Sequence, residues 1–468
     1  MFAGKAANLI EEGYQKFKSK TYQLIRQDSS IVVLPLSLLD ELSSLPAKVA
    51  SPNSALEHDL LGNYTGINLI LESRLHHSII QRKLTPRLEV ITPYLEEELA
   101  SAFKDLFLEC DDSDWHEFQP YQIFGRISAR LTARALVGRD LCRDPTWNNI
   151  SFNYTENLFR TIVILRLFPP WLHPFLFYIL PSYWNGRSYL KSAKALLGPK
   201  LHNFITRNDN GSWTTEDSEG ESNVLAWLAE LAKGTDRNPD TLAHVEVLLA
   251  LASVHTTLLR MVNVLYDLTA NPQYLEELQL EIQRETESKE GWNNNSYSKL
   301  HKLDSVLRES QRMSPPTTLG LKRLFKQSHT FSNGLYVSEG TYVCLPTFAI
   351  ENDPEHTENP ESFDGLRAYR QKQQESLSGG VTASGAGKHD FSSVGRTVLS
   401  FGYGKASCPG RFFAALIIKM LFVKLLTEYE FSFLPNTKRP KNLMLHEFLF
   451  CWPWQKMLFR KKVGGCPF

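Results

Sequence analysis

The segment Phe401 to Phe413, Phe-Gly-Tyr-Gly-Lys-Ala-Ser-Cys-Pro-Gly-Arg-Phe-Phe, sets one cysteine on a glycine-rich loop directly ahead of an apolar run. A thiolate there suits a metal held in a flat macrocycle, a haem iron above all. Gly402 and Gly404 would let the loop lie close against a porphyrin, and Gly410 is expected to permit a turn that other residues resist. Phe401 would pack the proximal face. Backbone N–H groups aimed at the Cys408 sulfur would lower its basicity and set the redox potential. A lone cysteine is more often a small buried hydrophobe, so the reading needs support from the rest of the chain.

The spacing Phe-x-x-Gly-x-x-x-Cys-x-Gly resembles the cysteine-ligand signature of the cytochrome P-450 family of haem-thiolate monooxygenases. That resemblance implies three further elements in fixed order. One is Glu-x-x-Arg on a helix, met by Glu309 and Arg312 within Lys299 to Met313, where Leu300, Leu303, Val306 and Leu307 mark a buried face. Residues three apart share a helix side, although most such pairs are solvated surface ion pairs. Pro315 and Pro316 stop this helix. The second is Arg367 in Phe-Asp-Gly-Leu-Arg, which in the family joins the first pair as a buried structural triad. A carboxylate shared by two guanidiniums is fully hydrogen-bonded.

The third element is a helix over Thr241 to Ala270, capped by Asp240 and ended by Pro272, about 45 Å long at 1.5 Å per residue. At its middle, Ala252-Ser253-Val254-His255-Thr256-Thr257 resembles the family's oxygen-activation motif. Ala252 and Ser253 would leave room above the iron. The Thr256 hydroxyl can bond the carbonyl four residues back and loosen the helix; the alternative is a buried helix with satisfied threonines. His255 stands where the family usually has an acid, as in many filamentous-fungal members, and an imidazole near its reference pKa of about 6.5 could relay protons. The resemblance makes Thr256 and His255 the catalytic pair. Where the family often places a propionate-binding Arg or His two residues before the ligand, this chain has Ala406, with Lys405 beside it. Arg323 resembles another propionate-binding arginine, with Lys322 as a competitor and Arg82 or Lys83 as further contributors.

Composition suits an enzyme of this size. The 468 residues are 42% hydrophobic, with 51 basic and 51 acidic side chains, so a large core is possible and nothing points to nucleic acid. Six cysteines, at 110, 142, 344, 408, 451 and 466, show no zinc or disulfide spacing and fit a reducing compartment. No internal repeat or interdomain linker is evident. The fold class expected is mainly α with a small β component, a single cytochrome P-450 domain over residues 1–468.

Helices are expected over Phe2 to Gln27, Pro93 to Phe107 and Phe118 to Val137, with a short strand over Ile31 to Leu34 and a strand-turn-strand over Thr330 to Leu345. Arg207 to Asn223 and Gln371 to Ser393 read as polar loops. The N-terminus reads as amphipathic, without signal peptide or spanning anchor. Ile162 to Pro181 is apolar but carries Arg166, His173 and four prolines, so a continuous bilayer span is not expected. Its Trp171, Phe175, Phe177 and Tyr178, with Trp184 beyond, suit either a membrane-interface patch or packing over the site.

The resemblance implies haem b, O2, electrons from an NADPH cytochrome P-450 reductase and a small lipophilic substrate. Closeness to fungal secondary-metabolism members suggests a terpenoid, polyketide or indole-derived compound, met at the cytosolic face of the endoplasmic reticulum, or in the cytoplasm if the N-terminus is complete. Expected pocket residues are Leu248, Leu251, Ala252, Thr318, Leu319 and Phe450. An oxygen-independent haem-thiolate isomerase or dehydratase is one alternative, and a non-enzymatic haem sensor is another.

Overall fold

The computed structural model describes residues 2–107, 114–214, 222–377 and 387–468. Its axis is the helix Pro239–Ala270, 32 residues and about 48 Å long. The helix begins two residues before the sequence suggested. Pro239 takes the first helical position, and the Asn238 side chain, not Asp240, caps it by accepting from the Asp240 N–H at 2.8 Å. By length and apolar composition this helix could cross a membrane. Here it is a core helix, packed against the helices Pro120–Leu136, Pro145–Leu165, Pro181–Asp209 and Arg411–Glu428.

A five-stranded sheet flanks this bundle, in the order Tyr22–Ile25, Ser30–Val33, Tyr342–Leu345, Gly320–Phe325, Ala50–Ser51. All its pairings are antiparallel except Ser30–Val33 with Tyr342–Leu345, which is parallel. The N-terminal helix is shorter than expected, Phe2–Phe17, because Tyr22 to Ile25 alternates inward and outward and pairs with Ser30–Val33 as a hairpin. The expected strand-turn-strand after Arg323 resolves into the small pair His329–Thr330 with Tyr336–Val337, then the sheet strand Tyr342–Leu345.

The remaining elements fall close to their sequence signals. The helix Leu88–Leu106 accommodates Pro93 in its first turns. Ile162 to Pro181 is broken, as its prolines require, into a helix end, a short turn at Pro170–Leu172 and the helix His173–Ile179. Within Gln371 to Ser393, the helix Arg367–Leu377 replaces the first part of the expected loop, and residues 378–386 lie outside the described residues. The Arg207 to Asn223 loop is in part outside them too, as is Cys110.

Candidate active site

Cys408 ends a loop held from several sides. Its backbone N–H donates to the Phe401 carbonyl at 2.8 Å, and Gly402 N–H to the Leu399 carbonyl at 2.7 Å, which closes the loop on itself. Gly402 and Gly404 have φ of +80° and +62°, conformations that favour glycine, as the sequence suggested. Gly410 does not. Its φ is −87°, open to any residue, and a Cβ there would meet nothing within 4 Å, so its value is clearance rather than backbone freedom. Phe401 packs edge-on against Phe391 at 5.2 Å.

Two anchors of this loop left no mark in the sequence. The buried Glu351, closing the short helix Thr347–Glu351, accepts from Leu399 N–H at 2.5 Å and from the Ser400 hydroxyl at 3.0 Å. Tyr403 OH donates to Asp40 Oδ1 at 2.8 Å. Arg411 is a third residue the sequence did not single out. Its guanidinium donates to the Cys408 carbonyl at 2.9 Å.

The Cys408 side is open to solvent on one face and closely surrounded on the others. That surround pushes the thiol pKa up, while the backbone N–H groups of Gly410 and Arg411 and the Arg411 charge pull it down.

On the central helix, Ala252 and Thr256, one turn apart, are exposed although Val254, His255, Thr257 and Leu258 around them are buried. These two exposed positions open a gap in an otherwise buried stretch of the helix, which packs on the helix Arg411–Glu428 that follows Cys408. The Thr256 hydroxyl donates to the Ala252 carbonyl at 2.7 Å, the bond expected of a threonine at a loosened helix turn. His255 points elsewhere. Its ring lies 4.7 Å from Phe152, both ring nitrogens lack a hydrogen-bond partner among the described residues, and burial pushes its pKa down to about 4. The imidazole is therefore neutral at neutral pH, which corrects the expectation of an ionising relay near 6.5.

Arg323 is buried, and its recorded hydrogen bond runs to its neighbour, the Lys322 carbonyl, at 2.9 Å. Burial pulls its pKa down to about 10, and among the described residues it has no counter-ion. It lines a cavity of about 300 Å³ with Leu319, Gly402, Tyr403, Ala406 and Phe448. An under-compensated cation beside the cysteine loop fits a haem propionate. Lys322, its neighbour on the strand, turns to Asp59 and to Glu447 (3.1 Å), so it is no longer a competitor. Lys83 pairs with Glu230 at 2.6 Å, and Arg82 and Lys405 are exposed.

The structure brings Glu309, Arg312 and Arg367 together, the first two buried and Arg367 half-buried. Arg312 forks onto Glu309 at 2.6 and 3.0 Å, and Arg367 reaches the same carboxylate at 3.2 Å. The Asp364 N–H donates to it as well, at 3.1 Å. Glu309 is 3% exposed, so this is no solvated surface pair. Arg312 and Arg367 also donate to the Ser362 carbonyl, which ties the helix His301–Met313 to the segment leading toward the cysteine loop.

Comparison with known proteins agrees with this geometry. The family model described as Cytochrome P450 matches residues 46–458. The chain is a cytochrome P450. It is 36% identical over 466 residues to cytochrome P450 monooxygenase AN1598 of Emericella nidulans, covering 100% of this chain and 85% of that protein. It is 35% identical to cytochrome P450 monooxygenase olcJ of Penicillium canescens, covering 97% and 84%, and 32% identical to ent-kaurene oxidase of Gibberella intermedia, covering 98% and 84%. The P450 is thus a haem-thiolate monooxygenase that uses O2, a redox partner and a lipophilic substrate.

An exposed cysteine on a glycine loop, an under-paired buried arginine and a gap at Ala252 and Thr256 fit a haem. Cys408 would supply the axial thiolate and Arg323 a propionate contact.

Proposed function

We propose that this P450 hydroxylates a terpenoid-type secondary metabolite at a membrane surface, with electrons from an NADPH cytochrome P450 reductase. The observation that carries this is Thr256, whose hydroxyl stands exposed in a gap of an otherwise buried helix. When bound, the haem supplies reductive activation of O2. In the proposal Cys408 ligates the iron, and the Thr256 hydroxyl holds the water that delivers a proton. His255 enters only as a neutral ring behind that turn. The triad of Glu309, Arg312 and the half-buried Arg367 fixes the fold around the cysteine loop.

The substrate class rests on the wall. Leu319 and Phe448 line the cavity that holds Arg323, and a relative across nearly the whole chain is named for oxidation of ent-kaurene. Entry from a membrane is supported by an aromatic surface in which Trp171, Phe175 and Ile179 are at least 70% exposed. Trp184 adjoins it and lines an open cavity of about 710 Å³ with Tyr64, Tyr154, Thr161 and Lys191. The location proposed is the cytosolic face of the endoplasmic reticulum, and this exposed apolar surface is what supports it. Incubation of the haem-loaded protein with reductase, NADPH and a panel of terpenoid intermediates tests the reading. A product one oxygen heavier, dependent on NADPH, is expected; NADPH-independent isomerisation or dehydration would overturn it.

A further inference from the structure

The hairpin Leu443–Leu445 with Phe448–Phe450 is closed by His446 and Glu447, and a two-residue turn of this kind normally points to solvent. Here it points inward. His446 is 2% exposed, Glu447 is 0% exposed, and His446 holds a left-handed φ of +54° to make the turn. Burial of a carboxylate is tolerated only with full pairing, and Glu447 receives three cations from three different segments. Lys322 Nζ and Arg26 Nη1 each reach Glu447 Oε1 at 3.1 Å, and Arg166 Nη2 reaches both carboxylate oxygens at 3.0 and 3.1 Å.

Asp28 and Asp59 complete the cluster. Arg26 forks onto Asp28 at 3.0 and 3.1 Å, Arg166 Nε lies 3.5 Å from Asp28, and Lys322 pairs with Asp59. Three cations therefore meet three carboxylates. Burial alone would raise the Glu447 carboxyl, but Lys322, Arg166 and Arg26 hold it well below its ordinary value, so it stays ionised.

The same groups grip the next residue. Arg166 and Lys322 each sit 5.4 Å from the centre of the Phe448 ring, within cation–π range. The Thr318 N–H and hydroxyl donate to the Glu447 carbonyl at 2.8 and 3.2 Å, and Phe448 stands edge-on to Phe159 at 6.0 Å. Phe448 in turn lines the cavity that also holds Arg323, Gly402 and Ala406, and Lys322 and Asp59 of the cluster border it too, so only a double substitution separates action through the ring from direct contact.

We infer that the charge cluster centred on Glu447 is a positioning device for substrate selection, in which Lys322, Arg166 and Arg26 hold the inward hairpin tip so that Phe448 forms a fixed wall of the active-site pocket. This rests on the monooxygenase reading, because it concerns that reaction's pocket. Glu447 and Lys322 are positioning residues that act through the Phe448 ring. An iron ligand too small to touch the wall should not sense them, whereas one carrying an aromatic ring should.

The test is ligand titration of the haem-loaded full chain, with imidazole and 4-phenylimidazole as probes, followed by the absorbance change on iron ligation. Glu447→Gln, Lys322→Gln and Phe448→Ala are each expected to change the 4-phenylimidazole Kd at least about tenfold, a difference of about 1.4 kcal/mol, while the imidazole Kd moves less than about twofold. If Lys322 acts through the ring, Lys322→Gln should have no further effect in a Phe448→Ala background. An unchanged ratio of the two affinities in Phe448→Ala, or independent additive effects of Lys322→Gln and Phe448→Ala, would overturn the inference. Should Glu447→Gln fail to load haem, the Lys322 and Phe448 variants decide alone, because the ring carries no charge. Failure of the monooxygenase reading would show separately, as absence of NADPH-dependent product with these affinity ratios intact.

Discussion

Thr256 and His255 are adjacent in sequence yet meet different surroundings. The Thr256 hydroxyl sits in the gap, bonded to the Ala252 carbonyl at 2.7 Å, and His255 is sealed against Phe152. Thr256→Ala is therefore expected to keep its haem and still consume NADPH, with product per NADPH falling by up to about a hundredfold, the lower end of what positioned proton transfer contributes. Peroxide released and product formed, measured together, check this; unchanged coupling would remove Thr256 from oxygen activation. For His255 the linkage sign is definite. Its folded pKa of about 4 lies below the unfolded value near 6.5, so the unfolded chain takes up the proton first. The stability tied to its neutral ring is complete above about pH 6.5 and is lost as pH falls towards 4. His255→Phe should flatten that part of the acid limb in denaturant titrations, and coupling in the wild type should show no His255 step between pH 6 and 8. Equal acid slopes in variant and wild type would contradict the burial argument.

At the scale of elements, the Glu309 triad joins a helix to the segment that leads into the cysteine loop. Glu309→Ala leaves the buried Arg312 and the half-buried Arg367 short of their counter-charge, and breaking a buried pair in this way costs about 3–5 kcal/mol. Haem-free or insoluble protein is the expected outcome, read from haem content and unfolding midpoint; a soluble, fully loaded variant would contradict it. The elements carrying local signals were legible in the sequence. Glycines at positive φ in the cysteine loop, the apolar face of the Glu309 helix and the Thr256 motif all declared themselves, because each depends on neighbours a few residues away. Glu351, Arg411, Phe448 and the Glu447 cluster did not, since their meaning comes from partners as far off as the 421 residues between Arg26 and Glu447. The start of the central helix was misjudged for a local reason. Asp240 is a good capping residue, but Asn238 followed by Pro239 is a better helix start. At Gly410 the residue type alone suggested a special turn, and the actual φ shows none.

Across the whole molecule, the long core helix forms the axis, the sheet and the hairpin meet at the cavity lined by Arg323 and Phe448, and the broken segment from Leu167 to Trp184 turns Trp171, Phe175, Tyr178 and Trp184 outward. If that surface dips into a bilayer, Trp171→Ser with Phe175→Ser should weaken binding to phosphatidylcholine vesicles by at least about tenfold, since burying one large apolar side chain is worth about 1.5–3 kcal/mol. Flotation of the full chain reads this, and the carbon monoxide spectrum should not change. The fold-wide expectation of a mainly helical, single-domain P450 was legible because motif order alone specified it. The orientation of the hairpin tip was not, because sequence pattern does not say which way a turn faces. Everything proposed here depends on Cys408 as the axial ligand. The most direct measurement is the absorption spectrum of the reduced carbon monoxide complex in wild type and in Cys408→Ala. The account predicts the strongly red-shifted Soret band of thiolate ligation in the wild type and its loss in the variant; persistence of that band in Cys408→Ala would contradict it.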